Sequence, residues 1–183
     1  MTLSITPAPK RDRPILRRLM ELYLYDFSEF DLADIGPRGL YTYPYLDAYW
    51  IDPNRHPFLI RVEGRLAGFV LVTRYSYLNG EVDPALGATW VIGEFFIMRR
   101  YRRQGVGEAA ARQVFDRFPG AWQVAQLREN TPATAFWRQV IGRYTHGQYQ
   151  EHQLDDENWC GPVQTFQSPP EGGPTQENLC SVR

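Results

Sequence analysis

The stretch that decides the fold is WVIGEFFIMRRYRRQGVGEAAARQVFDRF, residues Trp90 to Phe118. Its first part, Trp90 to Ile97, is short and rich in β-branched and aromatic residues, which predicts a strand. A polar segment, Arg99 to Gln104, follows it. From Val106 the apolar residues recur with the spacing of one helical face. The stretch therefore predicts a strand, a basic turn and a helix in direct succession.

The turn predicts an anion site. Gly105 and Gly107 remove side chains where the helix begins, so a ligand can approach the backbone N–H groups closely. These first N–H groups lack partners inside the helix, and the helix dipole favours negative charge at this end. Taken alone, the turn fits a glycine-relaxed connection with solvated side chains equally well. Four arginines surround it: Arg99, Arg100, Arg102 and Arg103.

The glycine spacing excludes two common phosphate motifs. No Gly-Lys-Ser/Thr follows, and Ala110 stands where a dinucleotide motif has its third glycine. The hexapeptide Arg102-Arg103-Gln104-Gly105-Val106-Gly107 instead resembles the Arg/Gln-x-x-Gly-x-Gly/Ala signature of the GNAT superfamily of acyl-CoA N-acyltransferases. This resemblance implies that the turn amides hold the pyrophosphate of CoA and that the preceding strand pairs with the pantetheine arm.

A second signature follows at the expected distance. The segment Asn130 to Tyr144, NTPATAFWRQVIGRY, resembles the later GNAT helix in its Asn, its Ala-aromatic-aromatic triplet and its Gly-aromatic ending. With both signatures in order, the resemblance covers roughly Pro57 to Tyr144. It implies cofactor contacts from Phe95, Phe96, Ile97, Arg102, Arg103, Gln104, Gly105, Val106, Gly107, Glu108, Asn130 and Phe136.

The remaining elements predict an α/β (α+β) fold. The runs Phe58 to Val62 and Leu66 to Tyr75 flank Glu63-Gly64-Arg65, which is typical of a hairpin. A helix should begin at Pro14 and reach about Tyr25. With the resemblance, these elements imply a GNAT-like mixed, mostly antiparallel sheet of about six to seven strands flanked by about four helices.

The second half of the chain predicts a β–α–β unit, whose strands should be parallel. Thr131 should cap the following helix, and Gly142 should end it. The unit and two final strands would complete one domain, residues 1–167, before a Pro- and Gly-rich flexible tail, 168–183. The predicted strands are Trp122 to Leu127, Tyr144 to Leu154 and Trp159 to Phe166.

Composition limits the function classes. A net charge of −1 gives no overall attraction to nucleic acid, and no run of about 18 apolar residues predicts a membrane span. Two cysteines, Cys160 and Cys180, and no apolar leader favour a reducing cytoplasm. The three scattered histidines indicate no metal site. The sequence leaves a homodimer open.

The segment Asp26 to Trp50 combines acids with aromatic residues. Such a mixture can hold a cationic amine by charge and by cation–π contacts. The alternative is a loop whose aromatic rings simply close the core. The acids are Asp26, Glu29, Asp31, Asp34 and Asp47.

Glu94 is the candidate catalytic base. It lies in an apolar strand, where burial should raise the pKa of a carboxylate, although a structural acid paired with an arginine is an equal alternative. Trp137 stands where the resemblance implies a catalytic tyrosine, and an indole is no acid near neutral pH. Tyr101, Tyr144 or Tyr149 could substitute, or the thiolate leaves without a protein acid.

The sequence thus predicts a small cytoplasmic acetyl-CoA-dependent N-acetyltransferase, which moves an acetyl group directly to a primary amine in a ternary complex. Neither signature contains a cysteine, which argues against a cysteine-bound intermediate. The alternative is a non-catalytic, regulatory acyl-CoA-binding module. A third, weaker alternative is a phosphate or nucleotide binder.

Overall fold

A computed structural model describes residues 1–78, 89–157 and 159–169. They form a seven-stranded sheet of order β1-β2-β3-β4-β5-β7-β6 with three α-helices, so the predicted fold class is confirmed. The elements are β1 Leu3–Pro7, α1 Arg13–Asp31, β2 Arg55–Val62, β3 Arg65–Arg74, β4 Trp90–Ile97, α2 Val106–Arg117, β5 Gly120–Ala125, α3 Thr131–Tyr144, β6 Tyr149–Asp155 and β7 Cys160–Ser168.

The predicted hairpin joins β2 and β3. Glu63 and Gly64 form its two-residue turn with φ angles of 48° and 74°, the left-handed pair that suits a twisted hairpin. β3 is central in the sheet, and its run from Phe69 to Val72 is fully buried. This accounts for its continuous apolar sequence, because both faces of the strand are covered by helices.

Two apolar layers enclose the sheet. On one face, Leu16, Leu19 and Met20 of α1 pack over Phe69 and Phe96. On the other face, α2 and α3 cover a larger cluster that also contains the most buried residues of β5. Members of that cluster include Val106, Ala110, Val114, Phe115, Trp122, Val124, Trp137 and Val140.

β4 and β5 are parallel, as predicted, but they pair over only two residues. Trp90 lies opposite Trp122, and Val91 lies opposite Gln123. β5 continues alongside β7 as far as Ala125, whereas β4 runs on beside β3. Beyond Val91, the edge of β4 that faces β5 therefore has no strand partner in the described part of the chain.

A β-bulge sits just past this point. Leu71 of β3 pairs with Glu94 and Val72 pairs with Ile92, so Gly93 is the extra residue of β4. Ile92 belongs to the cluster under α2 and α3, and strict alternation would point Glu94 the same way. The bulge instead turns the side chain of Glu94 to the α1 face, where it meets Tyr23.

Several predicted helix and strand boundaries were wrong, including the start of the strand predicted from Tyr144, which begins at Tyr149. α1 continues past Tyr25 to Asp31, because no glycine or proline interrupts it, and it ends where Leu32 adopts a left-handed φ of 55°. The cap of α3 is Asn130, whose side chain accepts a bond from Ala133, and the helix passes Gly142. β5 lies two residues earlier than predicted. About four helices were predicted, and the described residues contain three α-helices, which fits the predicted fold class.

The carboxyl-terminal boundary extends one residue into the predicted tail. Ser168 is buried at the end of β7, and its hydroxyl donates a 2.7 Å hydrogen bond to the carbonyl oxygen of Phe115. The rest of the tail from residue 170 onwards, Cys180 included, and residues 79–88 lie outside the described residues.

Gly68→Ala should destabilise the protein strongly. A Cβ at this position in β3 would lie 1.9 Å from the carbonyl oxygen of Phe96, so the central strands would have to separate. We expect a loss of about 3 kcal/mol in the free energy of unfolding in urea. Gly142→Ala is the control: it has ordinary contacts in α3 and should gain about 0.5 to 1 kcal/mol. If the two variants unfolded at the same urea concentration, the close contact between β3 and β4 at Gly68 would be contradicted.

Candidate functional site

The basic turn leads into an open helix N-terminus. Gly105 occupies the N-cap position of α2 with a φ of 78°, and no side chain caps the helix there. The N–H of Ala109 makes the first helical bond, to the carbonyl of Gly105. The N–H groups of Val106, Gly107 and Glu108 thus have no partner within the helix, which suits an anion.

Gly107 brings the two signatures together. A Cβ on Gly107 would lie 3.1 Å from the ring of Phe136, so the absence of a side chain lets α3 approach the start of α2. Phe136 in turn stacks on Phe95 of β4, with 6.0 Å between ring centroids. The unpaired part of β4, the turn and α3 therefore form one continuous wall.

Two of the four arginines are committed to Asp26 of α1. Arg99 donates two hydrogen bonds to its carboxylate, at 3.0 and 2.6 Å, and Arg102 donates another. Arg102 also donates from Nε to the carbonyl of Ile97 at 2.7 Å. Burial acts to raise the pKa of Asp26, but the bonds from Arg102 and Arg99 outweigh it and hold that pKa below its ordinary value.

The other predicted side chains of the turn are exposed. Arg103, with a φ of 58°, Arg100 and Gln104 are open to solvent, and Gln104 donates a hydrogen bond to the carbonyl of Arg100. With Arg99 and Arg102 neutralised, the positive charge available to a ligand comes from Arg100 and Arg103. The predicted role of Arg102 in holding the cofactor stays a prediction.

Glu108 and Asn130 have structural partners of their own. The carboxylate of Glu108 pairs with Arg143 at 2.8 Å and with Arg112 at 3.4 Å, so only its backbone N–H remains available at the helix start. Asn130 uses Oδ1 to accept the N–H of Ala133 at 3.1 Å. Their predicted cofactor contacts stay predictions.

Glu94 is held by two tyrosines. Tyr23 of α1 donates to Oε2 at 2.5 Å, and Tyr43, from the connection after α1, donates to Oε1 at 2.9 Å. Burial raises the pKa of Glu94 to about 7, although both hydrogen bonds act to lower it. A carboxyl group with this pKa exchanges a proton near neutral pH, which is the property required of a general base.

Two further tyrosines lie near this carboxylate. The hydroxyl of Tyr49 would lie 2.7 Å from a Cβ at Gly93, so the bulge glycine makes room for it. Tyr77 contacts the ring of Trp159 at 4.9 Å. Burial and the charge of Glu94 raise the pKa of Tyr23, Tyr43, Tyr49 and Tyr77, so all four remain neutral donors.

Trp137 is a core residue. It is 5% exposed and contacts Phe95 edge-on at 5.1 Å and Phe136 at 4.9 Å. Tyr144, one of the three tyrosines that could replace an acid here, donates its hydroxyl to Asp116 of α2 at 2.8 Å. None of the contacts described joins Tyr101, Tyr144 or Tyr149 to Glu94.

A buried pair of amide side chains joins the end of β5 to β7. Gln126 and Gln164 exchange two hydrogen bonds, at 2.8 and 3.0 Å. Gln164 also donates to Glu151 at 2.9 Å, and Arg138 of α3 binds that carboxylate at 2.8 and 2.6 Å. The Arg138 bonds lower the pKa of Glu151 to about 2. This network ties β5, β6, β7 and α3 together.

Sequence reasoning predicted roles for Glu94 and the turn but not the partners of either. Tyr23 falls in the helix predicted from Pro14, and Tyr43 falls in the mixed segment Asp26 to Trp50, yet both donate hydrogen bonds to Glu94. The available signal was chemical, since a tyrosine on a buried helix face needs a partner for its hydroxyl. For Gly93, an isolated glycine in a strand indicates a bulge. No local signal connects Asp26 to arginines more than seventy residues away.

The described residues contain no group of three or more His, Cys, Asp and Glu side chains that could hold a metal ion. Within the same ranges, no helix is both long and apolar enough to cross a membrane.

A family model called acetyltransferase (GNAT) family matches residues 16–142. The chain belongs to the GNAT acetyltransferase family. The match begins in α1 and ends in α3, so it includes the turn, Glu94 and both tyrosines that bind it. No match is found among curated protein sequences.

Solved structures of other GNAT proteins have the same fold at low sequence identity. An acetyltransferase from Thermus thermophilus is 15% identical with a TM-score of 0.65, covering 91% of this chain and 97% of that one. The ribosomal-protein-S18-alanine N-acetyltransferase from Escherichia coli is 12% identical with a TM-score of 0.53, covering 93% and 97%. An aminoglycoside acetyltransferase from an uncultured soil metagenomic sample is 18% identical with a TM-score of 0.55, covering 84% and 93%.

Gly105→Asp should abolish binding of CoA while the fold persists. The position has open space around it, so the change places a negative charge beside the free N–H groups without a clash. Gly105→Asn is the matched control, since it has the same shape and tolerates a left-handed φ without the charge. Calorimetric titration with CoA should show retained binding for Asn only. If both variants bind CoA with the same affinity as the wild type, this turn is not the site that binds the anionic part of CoA.

Glu94→Gln should stabilise the protein above neutral pH. The folded-state pKa of about 7 lies above the ordinary value of 4.5, so the folded protein keeps a proton that the unfolded chain releases between these values. Wild-type stability should therefore fall as pH rises through this window, by on the order of 3 kcal/mol. The variant lacks this loss and should gain as much over the wild type at pH 8, but little at pH 4. Glu129→Gln, on an exposed turn, is the control.

Proposed function

We propose that this GNAT protein is a cytoplasmic, acetyl-CoA-dependent N-acetyltransferase that transfers an acetyl group to a primary amine. The observation that carries the proposal is the position of Glu94. It lies on the part of β4 that follows the last pairing with β5 at Val91, has a pKa of about 7, and stands on the strand that leads to the uncapped start of α2. A base and an anion site thus stand at opposite ends of one unpaired strand edge.

The binding of acetyl-CoA would use backbone groups. The N–H groups of Val106, Gly107 and Glu108 would hold the pyrophosphate, with Arg100 and Arg103 adding charge. The free edge of β4 would hydrogen-bond the pantetheine amides, as a neighbouring strand would. Phe95, Phe96 and Ile97 would contribute to this edge.

The chemistry requires a neutral amine. Glu94 accepts a proton from the bound ammonium group, and the freed nitrogen lone pair attacks the thioester carbonyl carbon. A backbone N–H of β4 stabilises the developing oxyanion. The carbon–sulfur bond then breaks, and the second proton of the attacking nitrogen passes through water to the departing thiolate, which leaves a neutral amide and CoA thiol. Trp137 is buried in the core, so our mechanism assigns no protein acid to the leaving thiolate.

The surroundings of Glu94 favour a cationic acceptor. Tyrosine rings and a carboxylate can together bind an ammonium group by charge and cation–π contacts. Two acids of the segment Asp26 to Trp50 do not contribute to binding the amine. Asp26 is neutralised by two arginines, and Asp47 is bound by Arg13 and Arg17. Fold relatives include enzymes named for aminoglycosides and for a ribosomal-protein alanine, so we keep both small-molecule and protein amines as acceptor classes.

A non-catalytic acyl-CoA-binding module is the second candidate. It is favoured by Trp137, which occupies the place of an expected acid with a side chain that cannot donate a proton to sulfur near neutral pH.

The first experiment is calorimetric titration with acetyl-CoA, CoA and ATP, followed by a thiol-release assay over a panel of amines. Saturable one-site binding that prefers acetyl-CoA, with thiol release for a cationic amine, would support the enzyme. Tight binding without turnover across the panel would support the binding module. No binding by the folded protein would refute both.

Glu94→Gln should reduce turnover and leave cofactor affinity unchanged. The amide keeps the size of the side chain but accepts no proton, so we expect kcat near neutral pH to fall by about 10²- to 10⁴-fold. The acetyl-CoA dissociation constant should stay within error of the wild type. If the pH–rate profiles of variant and wild type coincide, Glu94 is a structural acid.

A further inference from the structure

The second half of α1 is less deeply buried than the first half, although Tyr23 and Leu24 pack against the apolar cluster on this face of the sheet. The buried residues of this helix are Leu16, Leu19 and Met20, all in its first half. From residue 21 to residue 31, every residue keeps part of its surface exposed. Tyr23 makes ring contacts to Phe69 and Phe96, at 5.8 and 5.9 Å. The position of this half on the sheet therefore depends on its polar contacts as well as on these apolar ones.

Those polar contacts form a closed circuit with β4. Tyr23 binds Glu94, and three residues later Asp26 binds Arg102. The Nε of Arg102 returns to the carbonyl of Ile97, three residues after Glu94. Tyr23 and Asp26 of α1 are thus connected to Glu94 and Ile97 of β4, and each pair is three residues apart in sequence. Arg99 adds a second pair of hydrogen bonds to Asp26.

We propose that Asp26 is a positioning residue for acetyl transfer: by binding Arg99 and Arg102 it holds the second half of α1 against β4 and so keeps the Tyr23 hydroxyl on Glu94. This inference rests on the proposed function for its effect on turnover. Its effect on the Glu94 carboxylate does not depend on any substrate.

The same contact has an opposite effect on the turn. Asp26 neutralises two cationic side chains within the sequence that leads to the open start of α2. Removal of its carboxylate leaves those charges free to attract an anion. Loss of Asp26 should therefore harm the base without harming the binding of a polyanionic cofactor, and general destabilisation would not produce this split.

The chain offers a matched control in Asp47. This carboxylate also binds two arginines, Arg13 and Arg17, but from the first half of α1. Asp47→Ala removes the same kind of double ion pair from the same helix and leaves the Asp26 circuit intact. Thermal unfolding of both variants would establish that each is folded before further measurement.

The test that needs no substrate is a pH titration of Glu94. It is monitored by carbon-13 NMR of labelled glutamate carboxyl groups, and the Glu94 signal is assigned with the Glu94→Gln variant. The groups that face Glu94 are Tyr23 from α1, Tyr43 from the connection after it, Tyr49 from the 3₁₀ turn at Leu46–Trp50 and Tyr77 after β3.

Asp26→Ala should shift the Glu94 midpoint by about half a pH unit or more, while Asp47→Ala should leave it in place. Because Asp26 acts through Tyr23, adding Asp26→Ala to Tyr23→Phe should change the midpoint little further. A midpoint in Asp26→Ala that overlays the wild type, or fully additive shifts in the double variant, would overturn the inference.

The kinetic test uses any amine that the wild type acetylates. For Asp26→Ala we expect kcat to fall by about tenfold, the scale of a misplaced catalytic group, with no increase in the KM for acetyl-CoA. A raised KM with unchanged kcat would instead assign Asp26 to the cofactor site. If the wild type acetylates no amine, the proposed function fails, whereas the Glu94 titration still decides the role of Asp26.

Discussion

The parting of β4 from β5 after Val91 is the constraint on which the rest of the structure depends. A strand edge left unpaired inside a sheet exposes N–H and C=O groups that need other partners, at a cost of about 1 to 3 kcal/mol for each group that is buried without one. The two halves of the sheet must also be held together by contacts other than backbone hydrogen bonds between strands. Here α2 and α3 provide this connection through the packing of Phe95, Phe136 and Trp137. The indole of Trp137 thus has a structural role, because it packs α3 against β4.

The side chain of Glu94 reaches the α1 face of the sheet only because of the bulge at Gly93. One extra residue reverses the side on which the strand presents the carboxylate, and the missing side chain leaves room for Tyr49. Two tyrosine hydroxyls satisfy the carboxylate without neutralising it, whereas an arginine would have fixed its charge. The hydrogen-bonding partners of Glu94, and not burial alone, keep it suited to proton exchange.

The sequence predicted best what local chemistry determines. The bounds of β4 follow from its composition, the start of α2 from its two glycines, and the hairpin from Glu63-Gly64. The long-range partners could not be predicted in this way, because Tyr23 and Asp26 meet β4 and its turn only after folding. For the same reason the arginines of the turn looked like ligands for phosphate, although half of them are committed to α1. The length of α1 was underestimated because the acids and aromatic residues after Tyr25 suggested a loop, whereas Asp26 binds arginines of the turn and Phe27 contacts Tyr23 within the helix.

The amide pair of Gln126 and Gln164 has a consequence for the alignment of strands. Apolar side chains tolerate small sliding movements, but two amides that exchange both hydrogen bonds fit in one alignment only. If β5 slipped along β7 by two residues, the buried amides of Gln126 and Gln164 would lose both of the hydrogen bonds that they exchange. The alignment of β5 with β7 is therefore fixed by polar recognition as the chain folds, before any ligand is bound.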